Sequence, residues 1–187
     1  MIDILLATIL ASESSLVATA CPVNEERQTG HLFSVCDPIL EGGRAYSVTF
    51  EASLSPEPAA QQVALYKRSG LFFLRIAGFR WESGSSLVTT RRNEIAISKE
   101  DALSLVDLFD DARLKRLSQL SYYGDPLIVC SDGAETEVAT ASDGRTQSFA
   151  QHTCAAKSEL NEVASVFREV ALKYDPGFEG MLTGLRH

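Results

Sequence analysis

Hydrophobic and polar residues alternate with a period of two along much of the N-terminal half, as in strands that bury one face. In the segment 46–52, for example, Tyr46, Val48 and Phe50 alternate with polar residues. The short connections between such segments favour antiparallel pairing of neighbours. Strands are predicted on this pattern at 31–35, 46–52, 62–67, 71–79, 87–90 and 95–97.

The spacing of apolar residues changes to three and four in two later segments, which is the pattern of amphipathic helices. The first predicted helix, 99–117, follows Ser98, and Asp101 three residues later makes an arrangement that resembles a capping box. The second predicted helix, 157–173, ends before Pro176-Gly177, which stops helices.

The stretch 130–154 predicts a β-hairpin, because Asp143-Gly144 lies between two segments of alternating pattern. A two-residue turn there places Val138 opposite Phe149, a favourable cross-strand pair of a β-branched and an aromatic side chain. A slip of one residue would separate this pair and move side chains to the wrong face.

These elements predict an α+β fold: an antiparallel meandering sheet with the two helices, about 99–117 and 157–173, packed on one face. The 187 residues suffice for one domain with a substantial core, and we assign residues 21–187 to a single domain. Hydrophobic residues make up 45% of the chain and charged residues 22%, a balance that excludes disorder as the default state.

The formal charge of −8 excludes some classes of partner. An acidic chain gains no counterion-release energy from a phosphate backbone, so we do not expect nucleic-acid binding. No apolar run reaches the ~18 residues of a membrane span, so no transmembrane segment is expected in the mature chain. The expected partner is a protein or a small ligand whose identity the sequence does not specify.

Residues 1–20 have features of a secretory signal peptide. An apolar stretch at 4–11 is followed by Ala18-Thr19-Ala20, which has the small-x-small form of a signal-peptidase site. Residues 2–20 contain no Lys or Arg, so a short N-terminal helix of a cytoplasmic protein is the alternative. We predict cleavage after Ala20 and a periplasmic or secreted mature protein.

The chain has 4 cysteines, Cys21, Cys36, Cys130 and Cys154. An even number in an exported protein favours disulfides, and we predict the sequence-local pairing, 21–36 with 130–154. Reduced thiols in a cytoplasmic protein are the alternative. Cys21 also directly follows the predicted cleavage site, as an acylated cysteine would. However, lipoprotein signals usually carry Leu at the position of Ala18, so a lipid anchor is the less favoured interpretation.

The sequence contains no motif that identifies a catalytic, metal or cofactor site, so the catalytic residues are unknown and we expect no metal or cofactor. Cys154 lies two residues after His152, but the CxxC or HxxxH pattern of a typical zinc site does not occur in the sequence. Neither G-x-S-x-G nor a phosphate-binding glycine loop occurs. The adjacent acids Glu100-Asp101 and Asp110-Asp111 are explained as solvated helix residues.

Three residues outline a candidate binding face: Trp81, Glu135 and His152. The register that pairs Val138 with Phe149 places Glu135 opposite His152 on the other side of the hairpin. Trp81 is included for its aromatic surface, although packing in the core is the simpler interpretation. If the hairpin does more than complete the sheet, we expect that role on its Glu135–His152 side.

Three short segments of the chain resemble exported bacterial domains of unknown function. They are Leu65 to Phe72, Ser98 to Asp101, and Cys130-Ser131-Asp132-Gly133, within a resemblance that covers about 62–172. The resemblance implies export and an α+β fold, and it transfers no functional residue.

The sequence therefore predicts a small exported, disulfide-stapled domain that acts by binding or as an envelope component. One alternative is an inhibitor or immunity-type protein whose acidic loops meet the basic cleft of an envelope hydrolase. Another is a hydrolase that uses paired carboxylates. Facing acids with raised pKa values would favour the hydrolase, and a flat acidic face or exposed aromatic residues around Trp81 would favour binding.

Overall fold

The computed structural model describes residues 19–20, 44–52, 59–82, 86–120, 134–142, 145–152, 155 and 158–178. These residues combine an antiparallel sheet with helices, so the predicted mixed α+β class is confirmed. In chain order the elements are β1 (Thr19–Ala20), β2 (Ala45–Ala52), β3 (Ala60–Arg68), β4 (Leu71–Glu82), β5 (Ser86–Ile97), α1 (Lys99–Val106), α2 (Asp111–Leu117), β6 (Ala134–Ser142), β7 (Arg145–His152) and α3 (Glu159–Tyr174).

The strand order within the described residues is β1-β7-β6-β2-β3-β4-β5. Strands β2 to β5 form the predicted meander, but the β6–β7 hairpin returns across the sheet and pairs with the free side of β2. The predicted meander therefore describes β2 to β5 but not the position of the β6–β7 hairpin. The helices between β5 and β6 carry the chain back to β2, and this long-range pairing has no local sequence signal.

The hairpin register is confirmed, since Val138 pairs with Phe149 and Glu135 with His152. The β3–β4 hairpin turns at Ser69 and Gly70, whose φ angles of 51° and 77° are those of a type I′ turn. The predicted strands 87–90 and 95–97 are one strand, β5. Its polar middle residues are accommodated at the edge of the sheet, beside a register shift near Gly78.

The predicted helix 99–117 is two helices, so this prediction is wrong in its continuity. Asp110 is extended (φ −66°, ψ 155°), and its carboxylate accepts a hydrogen bond from the backbone N–H of Arg113 at 2.7 Å. Asp110 therefore caps a new helix, α2, after a 3-10 turn at Asp107–Phe109. The apolar spacing in the sequence also predicts Ala112 on the buried face of a single helix, but Ala112 is exposed.

Alternate strand residues divide the sheet into two faces. The apolar strand residues of one face belong to a single core cluster together with residues of α1, α2 and α3. This cluster includes Val48, Val63, Leu65, Leu74, Ile76, Val138, Leu105, Leu117, Val163 and Phe167. The intervening residues form a separate small cluster of Ala45, Ala64, Tyr66 and Ala141. We call the side of the sheet that carries this second set the polar face, because Ser47, Thr49, Gln62 and Arg75 also lie there.

The two ends of helix α3 contact β7 and β5, at opposite ends of one transverse row of paired residues. The row runs Gln151, Thr136, Phe50, Gln61, Gly78, Arg91 from β7 to β5. The hydroxyl of Ser158 donates to Gln151 at the start of the helix, and Arg91 pairs with Asp175 just after its end. The 16 residues of α3 span about 24 Å, which matches about five strand spacings of 4.8 Å.

The C-terminal end of α3 also contacts the start of α1. Ser98 caps α1 by accepting a hydrogen bond from the N–H of Asp101 at 3.1 Å, as the sequence predicts. The Asp101 carboxylate in turn accepts hydrogen bonds from Lys173 Nζ at 2.8 Å and from the Tyr174 hydroxyl. Hydrogen bonds from Lys173, Tyr174 and Ser98 lower the pKa of Asp101 to about 2.

We expect the Asp175→Asn substitution to lower the free energy of unfolding by about 1–2 kcal/mol. The buried Asp175 carboxylate accepts from Arg91, and from the N–H of Gly177 at 3.1 Å, so a neutral amide leaves the guanidinium poorly compensated. Urea unfolding would measure the change. Glu169→Gln, at an exposed site on α3, is the control, and equal stabilities of the two variants would contradict the prediction.

Candidate functional site

The predicted binding residues Trp81, Glu135 and His152 all lie on the polar face. Glu135 pairs with His152 and also with Glu51 on β2. The same row continues through Ala60 to Phe79, and Trp81 is two residues beyond Phe79 on the same side of β4. The structure therefore brings Glu135 and His152 together, and it places Trp81 about three strand spacings, roughly 14 Å, to one side.

Trp81 and its neighbour Phe79 have different environments. Phe79 is fully buried, whereas 39% of Trp81 is exposed. The simpler interpretation of Trp81 as a core residue is therefore wrong, whereas its neighbour Phe79 does lie in the core. Alternation along β4 puts both side chains on one face, but the end of the sheet leaves Trp81 open to solvent.

Three carboxylates come together beside the hairpin, from Glu51 on β2 and from Glu135 and Glu137 on β6. We call them the carboxylate cluster. Glu51 and Glu135 are direct cross-strand neighbours, and Glu137 follows Glu135 on the same face. Like charges directly opposite each other in a sheet are destabilising.

Burial and the repulsion between like charges change the pKa values of Glu51 and Glu137 in the carboxylate cluster. Burial raises the pKa of Glu51, and the charges of Glu135 and Glu137 raise it further. Burial also raises the pKa of Glu137, with a contribution from Glu135, while a hydrogen bond with Ser148 acts in the opposite direction. Both carboxyl groups are therefore easier to protonate than free glutamates, and a cation beside them would relieve the repulsion.

Sequence reasoning found Glu135 but missed Glu51 and Glu137. Alternation along β2 places Glu51 on the side of its strand away from Val48 and Phe50. However, the pairing of β2 with β6 joins residues far apart in the chain and has no local signal. The hairpin pattern did contain Glu137, two residues from Glu135 on the same face, and this spacing was the available signal.

A second charged group lies on the polar face toward β5. The Glu94 carboxylate binds Arg68 at 2.7 Å and the buried Arg75 at 3.2 Å. The Arg75 guanidinium lies 5.3 Å from the ring centre of Tyr66, and burial, followed by the hydrogen bond to Glu94, raises the pKa of Tyr66 to about 12. In this group two guanidinium groups contact one carboxylate, whereas the carboxylate cluster brings three acids together.

The central part of the polar face is polar or small and closely packed. The Gln62 side-chain amide donates to the Thr49 hydroxyl at 3.0 Å, and both residues are buried. Thr49 pairs with Glu137, and beyond Glu137 the neighbouring residue on β7 is Ala150. On its hairpin side the carboxylate cluster is therefore bordered by Ala150 next to Glu137 and by His152 next to Glu135.

Within the described ranges, no group of three or more His, Cys, Asp or Glu side chains is arranged to hold a metal ion. The helices that the structure describes include none long and apolar enough to cross a membrane. Cys21, Cys36, Cys130 and Cys154 lie outside the described residues, so the disulfides stay a prediction. Thr19 and Ala20, at the end of the predicted signal peptide, pair with Thr146 and Arg145.

No protein-family model matches the chain, and no curated protein or solved structure matches it either. Its function must therefore be inferred from its own residues.

We expect Glu51→Gln to raise the free energy of unfolding at pH 7 by about 0.5–1 kcal/mol. The native pKa of Glu51 is raised above its ordinary value of 4.5, so the folded state favours the neutral side chain. The stabilisation of the folded state by protonated Glu51 is fully present below pH 4.5, and it is lost as the pH rises through the native pKa of Glu51.

The gain from Glu51→Gln should therefore shrink toward pH 4, which urea unfolding at several pH values would measure. Glu162→Gln, at an exposed helix position, provides the matched control. A Glu51→Gln protein less stable than the parent at pH 7 would be incompatible with repulsion in the carboxylate cluster.

Proposed function

We propose that this protein is an exported binding domain, without catalytic activity, that receives basic side chains of another protein at its carboxylate cluster. The observation that carries the proposal is the cross-strand pair of Glu51 and Glu135, extended by Glu137. Such a like-charge pair is unfavourable in the free protein. A lysine or arginine of a partner would turn that repulsion into attraction.

The proposal includes an arrangement in which α1, α2 and α3 pack on the opposite face. Aromatic contacts support it, because the ring of Phe109, after α1, lies 4.7 Å from Tyr46 on β2 and 5.9 Å from Phe167 on α3. Ion pairs also join the helices, between Arg116 and Glu159 at one end and Lys173 and Asp101 at the other. In this arrangement none of the helices that the structure describes covers the carboxylate cluster.

Charge and exposed aromatic surface together support a protein partner. The formal charge of −8 would accelerate association with a basic protein. Trp81, on the same face, provides an exposed aromatic side chain of the kind that anchors interfaces. An inhibitor or immunity-type protein acting on a hydrolase with a basic cleft is one form that such a binding domain would take.

A hydrolase with paired carboxylates is the second candidate. It is favoured by the raised pKa values of Glu51 and Glu137 beside Glu135, because catalytic acids often show such shifts. If this candidate is correct, the protein will hydrolyse aryl glycosides and both Glu51→Gln and Glu135→Gln will abolish turnover. If the purified protein releases no phenol from aryl glycosides, the result would argue for the binding role.

We expect the parent protein to bind tetralysine and the triple variant Glu51→Gln, Glu135→Gln, Glu137→Gln to bind it at least tenfold more weakly. The physical reason is loss of the local negative charge, and the binding should weaken as salt is raised. Isothermal titration calorimetry would give the dissociation constants, and NMR shifts would locate the site.

The matched control removes the same charge from the helices, by Asp107→Asn, Asp111→Asn and Glu162→Gln, at three exposed positions. It should change the affinity less than twofold. Equal losses in the two triple variants would show attraction by net charge alone and would overturn the proposed face.

Export has its own test. We expect the protein from its native host to begin at Cys21. On reduction and alkylation it should gain the mass of four alkyl groups, as expected for two disulfides. Intact-mass analysis with and without reductant would measure both. An intact Met1 together with free thiols would contradict the proposal of export.

A further inference from the structure

Among the strands that the structure describes, only β6 lies beside β7 along its whole length. Strand β6 pairs with it from Arg145 to His152, whereas β1 pairs with it only at Arg145 and Thr146. Among the described strands, none lies beside Gln147–Ala150 on the β1 side. A backbone edge of this kind is able to accept a further strand.

The two edges of the sheet differ in how they are protected. Natural edge strands are commonly protected by charged side chains, proline or bulges. The β5 edge has Arg91, Arg92 and Glu94 in its middle and a register shift beside it. The segment 147–150 (QSFA) has no charge and no proline. Of the two edges, only β7 lacks these features, which favours it as a pairing site.

The side chains beside this edge indicate what kind of strand would fit. On the polar face β7 presents Ser148 and Ala150, and Ala150 pairs directly with Glu137. A strand added outside β7 would lie about 10 Å from β6, two strand spacings away. A lysine or arginine on that strand could lie across the small Ala150 side chain and meet the Glu137 carboxylate.

The other side of the added strand has a different neighbour. Phe149 faces the core side of the sheet, where it packs against the main hydrophobic cluster while staying partly exposed. A β-branched residue of the added strand would pack well beside it. Basic residues on one side and β-branched residues on the other describe an alternating segment.

We propose that β7 binds an extended segment of the partner in which basic and β-branched residues alternate, as an added strand beside Gln147–Ala150 with a basic side chain that reaches across Ala150 to Glu137 of the carboxylate cluster. This inference rests on the proposed function, because it identifies the form in which the basic partner binds. The interaction combines backbone hydrogen bonds with charge complementarity.

The experiment uses the full chain and the peptide acetyl-Lys-Val-Lys-Val-Lys-Val-amide as probe. Two further peptides carry N-methyl groups on the valine nitrogens or on the lysine nitrogens, which block opposite edges of the extended peptide. We expect the parent peptide to bind and one methylated isomer to bind at least tenfold more weakly, while the other keeps its affinity. Hydrogen exchange of the Gln147–Ala150 amides should slow in the complex.

The outcomes separate this inference from the proposed function. If both methylated isomers bind as well as the parent peptide, and Glu51→Gln, Glu135→Gln, Glu137→Gln still weakens binding, strand addition is wrong and the proposed function stands. If that triple variant leaves the affinity of the parent peptide unchanged, both are wrong. The glutamate peptide acetyl-Glu-Val-Glu-Val-Glu-Val-amide should not bind, and failure of every peptide to bind would overturn both.

Discussion

The pairing of β6 with β2 is the interaction on which the rest of the structure depends. It joins the hairpin to the meander, and it places Val48 between Val63 and Val138 in the middle of the core. On the opposite face, the same register sets Glu51 beside Glu135. A shift of one residue would move the valines out of the core. The stability of the core therefore holds the two carboxylates together despite their repulsion.

Local signals in the sequence predict the parts of this fold that are formed by residues near each other in the chain. The Asp143-Gly144 sequence signal predicts the hairpin register that the Val138–Phe149 pair confirms, and Ser69-Gly70 forms the β3–β4 turn. Ser98 marks the start of α1. In each case the residues that specify the structure lie close together in the chain, so composition and spacing contain the necessary information.

Non-local contacts account for the features that sequence reasoning missed. The carboxylate cluster exists only because β6 returns to β2, and many pairings of a hairpin with a sheet are compatible with the same alternation. The break at Asp110 is a different case, because Asp110-Asp111 reads equally well as solvated residues of a continuous helix. There the capping geometry decides between two interpretations that the hydrophobic pattern permits.

The position of α3 limits how strongly any additional strand could be held. The helix begins where Ser158 contacts Gln151 on β7. None of the helices that the structure describes would lie above a segment added outside β7, so its apolar contacts would be mainly those beside Phe149. Its attachment would depend on backbone hydrogen bonds and on charges that salt screens. A complex of this kind dissociates readily, which suits a partner that must be released as well as captured.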